Sequence, residues 1–382
     1  MSWIKTALLI SLVTAFLFEI SSFVATKLEL FLVNKTPSLY DFGPSADDIV
    51  YGRTEREAWG AWHATSSSYR HSRSCFDVLM SFNEIGARDN SFVNLPDESI
   101  VLLGDSFAEG FGVSESETSQ YLIENELGVP VLNFGAGGSF GPLQELLIYK
   151  HYLSIPHQGL IIYVLPANDF TDNDSAVWSD LDQMRYRPYF SQEGDPLTPY
   201  YFPTATPRDT FISYDIGTDK KFVKDYFWSV NALRTALMLV RGDATIEVAT
   251  DDNTLTQSYF YDANPLQQSN LIAAYEAILD LANNREVLFV IIPGQDDIAR
   301  WENEIEQNSY KQQAWYEGFM AFQERSQQRV STLNLIDHLP EDTDELFLTC
   351  DGHWNPNGNQ WASDIILRHI QNNRLFSSFI ER

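Results

Sequence analysis

Three residue types at two places in the chain carry the elements of nucleophilic catalysis. Gly104, Asp105 and Ser106 follow directly on the apolar run Val101, Leu102, Leu103 and are followed by Phe107, Ala108, Glu109 and Gly110. A nucleophilic hydroxyl must be exposed on a turn whose backbone N–H groups are free to meet developing negative charge, and the end of a buried strand provides such a turn. A serine is a poor nucleophile until an imidazole takes its proton. The imidazole works best when a carboxylate fixes its tautomer and stabilises the imidazolium. Asp351 and His353 lie near the carboxyl terminus, just before Asn355 and Pro356, and supply both groups. Of the seven histidines, His63, His71, His151 and His157 lack a comparable turn context, and His369 falls within a helical stretch. Asp337 and His338 also pair an acid with an imidazole at a strand end and are the internal competitor.

The chemistry further requires donors for an oxyanion. Residues 135–141 hold four glycines, Gly135, Gly137, Gly138 and Gly141, which let the backbone turn tightly and offer an N–H to a ligand. Asn168 and Asp169 follow the run 160–165, and an asparagine side chain at a strand end is a second source of N–H. Each of these blocks, taken alone, is also ordinary turn chemistry.

The elements that must position these groups are read from the apolar pattern. Strands are expected at 99–103, 129–134, 159–165, 287–292 and 333–336. Helices are expected at 115–127, 142–153, 265–283, 298–328 (with a break) and 356–372. This alternation predicts an α/β fold: three αβα layers around a parallel sheet, with the loops after Leu103, Phe134 and Leu165 on one rim. Residues 34–98 show no clear period and read as a membrane-proximal connector packing on the main domain, 99–382. Between about 170 and 261 the alternation stops, and aromatics such as Trp178, Tyr189, Phe190 and Trp228 stand among prolines and acids. That stretch reads as an insertion capping the rim, with a helix near 228–240. Its aromatics form the insertion's own small core, stack on sugar rings or hold an acyl chain.

The blocks around Ser106, Gly138, Asn168 and His353, in this order after successive strands, resemble the SGNH/GDSL hydrolases. The resemblance implies a flavodoxin-like hydrolase fold with Ser106 as nucleophile, His353 as base and Asp351 orienting it. It places the oxyanion donors at the Ser106 and Gly138 backbone N–H groups and the Asn168 side chain, supported by Gly104, Asp105 and Asp169. Gly138 is chosen over Gly137 by its spacing from Asn133. Phe107 stands where the family usually has leucine, and Ala167 stands where the third block often has glycine. Asp351-x-His353 replaces the commoner Asp-x-x-His, a spacing that resembles the membrane-linked polysaccharide O-acetylation branch. Residues 83–88 are similar to what precedes the serine block in such anchored proteins. What the resemblance implies is acyl transfer without metal or organic cofactor. The substrate it ranks first is acylated carbohydrate, with a lipid or lysophospholipid ester second. A catalytically silent glycan-binding or assembly module is the rival from another class.

Composition narrows the partners. There are 53 Asp plus Glu against 25 Lys plus Arg, a formal net charge of -28, and no basic run. Such a surface repels phosphate backbones, so nucleic acid is excluded as an expected partner. Cys75 and Cys350, the only cysteines, have no metal-ligand spacing and are free to pair in an oxidising compartment. Residues 7–24 form an apolar run close to bilayer-spanning length, interrupted by Glu19. Residues 1–33 therefore read as an uncleaved membrane anchor, amino terminus inside and the catalytic domain extracytoplasmic. A cleaved signal peptide is the alternative, although no clear small-x-small site precedes Lys27.

Overall fold

The computed structural model describes residues 2–28, 53–72, 75–138, 140–180, 185–205, 208–211, 227–241, 258–302, 309–326, 329–349 and 351–380. Cys350, residues 34–52 of the connector, and 212–226 and 242–257 of the aromatic stretch lie outside these.

Ten strands are present among the described residues: β1 (Arg53–Glu57), β2 (Gly60–His63), β3 (Ser68–Ser72), β4 (Asp77–Ser81), β5 (Ile100–Leu103), β6 (Val131–Asn133), β7 (Gly159–Val164), β8 (Arg208–Phe211), β9 (Glu286–Ile291) and β10 (Val330–Asn334). The expected parallel sheet is formed in the order β10-β9-β7-β5-β6. Ile100 is opposite both Val131 and Gly159, and Val287 is opposite Val330. The strands are apolar throughout because both faces are covered. Val101 and Leu103 point into one core with the helices Pro142–His151, Pro265–Ala282 and Ala314–Arg325, through Leu143, Leu271 and Phe319. Ile100 and Leu102 point into the other core with Ser119–Leu127 and Pro356–Asn373, through Ile123, Ile366 and Ile370. The architecture is thus three-layered α/β. The chain passes from β5 outward to β6 and then back across to β7, so the order reverses at β5. A crevice opens at the carboxyl end of a sheet at such a reversal.

Three expectations shift. The expected strand 333–336 lies instead at Val330–Asn334, because the Asn334 side chain accepts from Ile336 N–H (3.2 Å) and turns Leu335–His338 into a 3-10 helix. The stretch 298–328 divides into Gln295–Trp301, a 3-10 turn at Ser309–Gln312 and Ala314–Arg325, with 303–308 outside the described residues. Among its described residues the connector forms strands: β1 pairs antiparallel with β2 and with β8, and β3 pairs antiparallel with β4. Its period was hidden because every residue of β2 is buried and because Leu79, which breaks the alternation of β4, is 62% exposed. Trp59 and Trp62 join the core of the main sheet, where Trp62 stacks near Phe134.

The helix Ser2–Lys27 leaves its apolar surface uncovered and, over Trp3–Ala25, is long and apolar enough to cross a membrane. Glu19 is answered by a partner helix. Its carboxylate accepts from Trp228 N–H (2.6 Å), Ser229 N–H (3.0 Å) and the Ser229 hydroxyl, at the start of the helix Trp228–Arg241. Free N–H groups and the positive end of the helix dipole both favour a carboxylate there. Cys75 is disulfide-bonded.

Candidate active site

Ser106 opens a four-residue helix, Ser106–Glu109, at the carboxyl end of β5. Asp105 caps it by accepting from Phe107 N–H (2.9 Å), and Gly110 ends it at φ 80°. Gly104 has φ +150°, and a Cβ there would stand 2.9 Å from the Cβ atoms of both Ala108 and Tyr163. Only glycine lets strand and helix meet this closely, which fixes the serine at the turn.

His353 reaches Ser106 from the loop before the helix Pro356–Asn373. Its Nε2 lies 2.7 Å from Ser106 Oγ, and its Nδ1 hydrogen-bonds Asp351 Oδ1. The same carboxylate oxygen accepts the His353 backbone N–H (3.2 Å), so the one-residue spacing lets Asp351 hold both the ring and the chain. The imidazole stacks on Phe111, 4.2 Å between ring centres, and lies 5.0 Å from Phe107. With Nδ1–H directed at the carboxylate, Nε2 is left as the acceptor for the serine proton. Asp337 and His338, the internal competitor, are not brought to this cleft. Asp337 accepts from the Tyr310 hydroxyl (2.9 Å), and His338 O accepts from Trp361 Nε1 (3.2 Å).

Asn168 stands in the helix Pro166–Asp172 that follows β7, and its side-chain amide donates to Asp105 Oδ2 (3.1 Å). Burial raises the Asp105 pKa, while hydrogen bonds from Phe107 and Asn168 and the charge of His353 act in the opposite direction. Asp169 turns into the core instead of the cleft. It accepts from Leu165 N–H (2.7 Å) and the Tyr275 hydroxyl (3.3 Å), and burial, then Glu145, Asp105 and Asp172, push its pKa well up. In the glycine loop, Gly137 N–H donates to Glu109 Oε2 (2.7 Å). Gly138, at φ +80°, lines the cleft beside Ser106, and its carbonyl accepts from Arg185 (3.0 Å).

The cleft has a volume of about 700 Å³, and its lining includes Ser106, Phe107, Phe111, Gly138, Leu165, Ala167, Asn168, Asp351, Gly352 and His353. Ser258, Tyr259, Gly294, Gln295, Asp296 and Asp297 line it as well, a second set that the sequence did not reveal. Its signal is Gly294 and the polar residues after it, at the carboxyl end of β9, where the rule that sites lie at strand ends applies as it does to β5. Asp297 is raised to about 6 by burial, although Ser258 and Gly294 N–H both hydrogen-bond it. No group of three or more His, Cys, Asp or Glu side chains suited to a metal occurs among the described residues.

No family model matches the chain, and no curated protein does. Solved structures similar to it include a salicylyl-acyltransferase from a tetracycline biosynthetic pathway, at 14% identity and a TM-score of 0.38, covering 74% of this chain and 56% of that one. A lipase/acylhydrolase from Enterococcus faecalis is 16% identical with a TM-score of 0.36, covering 72% of this chain and 96% of that one. A family 2 carbohydrate esterase from Corynascus thermopiles is 11% identical with a TM-score of 0.37, covering 74% of this chain and 68% of that one.

Proposed function

We propose that this chain is a serine-dependent acyl-ester hydrolase or O-acyltransferase of the SGNH/GDSL type, anchored in a membrane by residues 1–33 with the catalytic domain extracytoplasmic. The observation that carries the proposal is the unbroken hydrogen-bond chain Asp351–His353–Ser106 opening on a cleft that Gly138 and Asn168 also line. Ser106 Oγ bonds to the ester carbonyl carbon as its proton passes to His353 Nε2. The carbonyl oxygen gains charge facing the Ser106 and Gly138 N–H groups and the Asn168 amide. Collapse breaks the ester C–O bond, and the proton on His353 goes to the departing alkoxide. Water or an acceptor hydroxyl then attacks the acyl-serine, giving up its proton to His353 and restoring the serine.

The substrate we place first is an acetylated cell-surface carbohydrate. Gln295 and Asp296 give the cleft amide and carboxylate groups suited to sugar hydroxyls. A lipid ester is the second reading, supported by Phe111, Leu165 and Tyr259 in the same cleft and by the exposed apolar helix Trp3–Ala25. Labelling of the full chain in detergent with a fluorophosphonate, followed by peptide mass analysis, tests the nucleophile. The adduct is expected on Ser106; a folded protein that takes no label, or takes it elsewhere, would overturn Ser106 as the nucleophile.

A further inference from the structure

We infer that His63 and Glu109 act as a positioning pair that sets the glycine loop of the oxyanion hole. The inference rests on the acyl-transfer reading for its role and on geometry for its existence.

Glu109 is the last residue of the helix begun by Ser106 and is 0% exposed. Its two carboxylate oxygens do different things. Oε1 lies 2.6 Å from His63 Nε2, and Oε2 accepts the Gly137 N–H at 2.7 Å. The other ring nitrogen of His63, Nδ1, lies 3.1 Å from the Gly86 carbonyl. Both nitrogens of this histidine thus lie against oxygen, and the contact with the carboxylate is an ion-pair approach of His63 Nε2 to Oε1.

Neither side chain has room to leave. His63 stacks on Phe82 at 4.0 Å, and Arg88 grips the turn beyond Glu109 by donating to the Glu109 carbonyl (2.9 Å) and the Val113 carbonyl (2.6 Å). At Gly135 a Cβ would fall 2.3 Å from Glu109 N, so the loop presses on Glu109 at that point as well. Gly137 N–H is therefore spent inward, and the next residue, Gly138, is presented to the cleft.

Stability does not account for such a pair. A buried ion pair is commonly no more stabilising than apolar side chains of the same volume, because both ions lose their water. What an apolar pair cannot do is accept the Gly137 N–H. His63, from the segment ahead of β5, keeps the carboxylate in place, and the carboxylate keeps the loop in place.

The test uses the full chain in detergent and ester turnover. Glu109→Leu is expected to lower kcat about 100-fold, the scale for loss of one oxyanion donor, with KM within about threefold. Glu109→Gln is expected to recover to within about tenfold of the native kcat. Its amide oxygen accepts Gly137 N–H, and its NH2 donates to neutral His63. A second measurement, amide hydrogen exchange over residues 135–138 on the Ser106→Ala background, needs no turnover. Protection in native and Glu109→Gln chains, and its loss in Glu109→Leu, is expected. The inference is overturned by native kcat in a folded Glu109→Leu chain, by equal losses in the leucine and glutamine variants, or by an unprotected loop in the native chain. If Glu109→Leu does not fold, native-loop exchange and Glu109→Gln decide the matter. If no Ser106-dependent turnover exists, the acyl-transfer reading fails while exchange still decides whether the pair holds the loop.

Discussion

Ser106 Oγ and His353 Nε2 lie 2.7 Å apart although 247 residues separate them in the chain. Each comes from a turn at the carboxyl rim of the sheet, one after β5 and one before the last long helix. Mutual hydrogen bonding across such a separation gives each residue a chemical identity that neither has alone.

Replacing Ser106 or His353 with alanine is expected to abolish ester turnover while leaving the circular dichroism and thermal midpoint within experimental scatter. Asp351→Asn is expected to lower kcat by about 10⁴-fold, as losing the carboxylate that fixes the imidazole tautomer does in triad enzymes. A drop of less than tenfold would show that Asp351 does not orient His353.

Asn168→Ala removes the proposed oxyanion donor and the partner of Asp105 Oδ2. A 10²- to 10³-fold loss of kcat is expected, roughly the range for one such donor, with a much smaller change in KM. Steady-state kinetics on a short-chain ester distinguish this from a binding role, which would raise KM and spare kcat.

Four buried carboxyls are expected to make stability fall as pH rises from about 4 to 8, against the opposite contribution of His157, which burial lowers to about 4. Burial raises Asp89 to about 7 and Asp297 to about 6, and pushes Glu145 and Asp169 up as well. A carboxyl whose folded pKa lies above its unfolded value stabilises fully below the unfolded value, near 4, and that contribution is lost as pH climbs through the folded one. Urea midpoints at pH 5 and pH 8 measure the slope. Asp89→Asn, whose side-chain oxygen can still accept from Asn133 N–H, is expected to flatten it; an unchanged slope would remove Asp89 from the account.

Glu19 holds the start of the helix Trp228–Arg241. Glu19→Leu keeps the apolar helix but leaves those N–H groups without their carboxylate, and lost caps cost about 1 kcal/mol. Trypsin cleavage after Arg234 in the full chain is expected to accelerate about fivefold, the factor that 1 kcal/mol gives. Equal rates would mean that Glu19 does not hold that helix.

The sheet was legible because its strands are apolar on both faces and end in turn chemistry, as Leu103 does at Gly104 and Leu165 at Pro166. The blocks around Ser106, Gly138, Asn168 and His353 could be found because each follows or precedes such an element. The connector strands were not legible, since the fully buried Gly60–His63 has no polar face to mark a period. In sequence His63 lacks a turn context, and Glu109 is one acid among 53 Asp and Glu. What joins them is a contact between distant segments, which no local pattern encodes. Asp169 belongs by sequence to the Asn168 block, whereas its side chain is directed into the core toward Tyr275.

The central claim, that Ser106 performs acyl transfer, is tested most directly by the time course of acetate release from p-nitrophenyl acetate by the full chain in detergent. The Ser106→Ala chain is run beside it, with and without added oligosaccharide. The account predicts turnover in the native chain alone, and diversion of acetyl to sugar hydroxyls if the enzyme is a transferase. Equal acetate release by the native and Ser106→Ala chains, both folded, would contradict it.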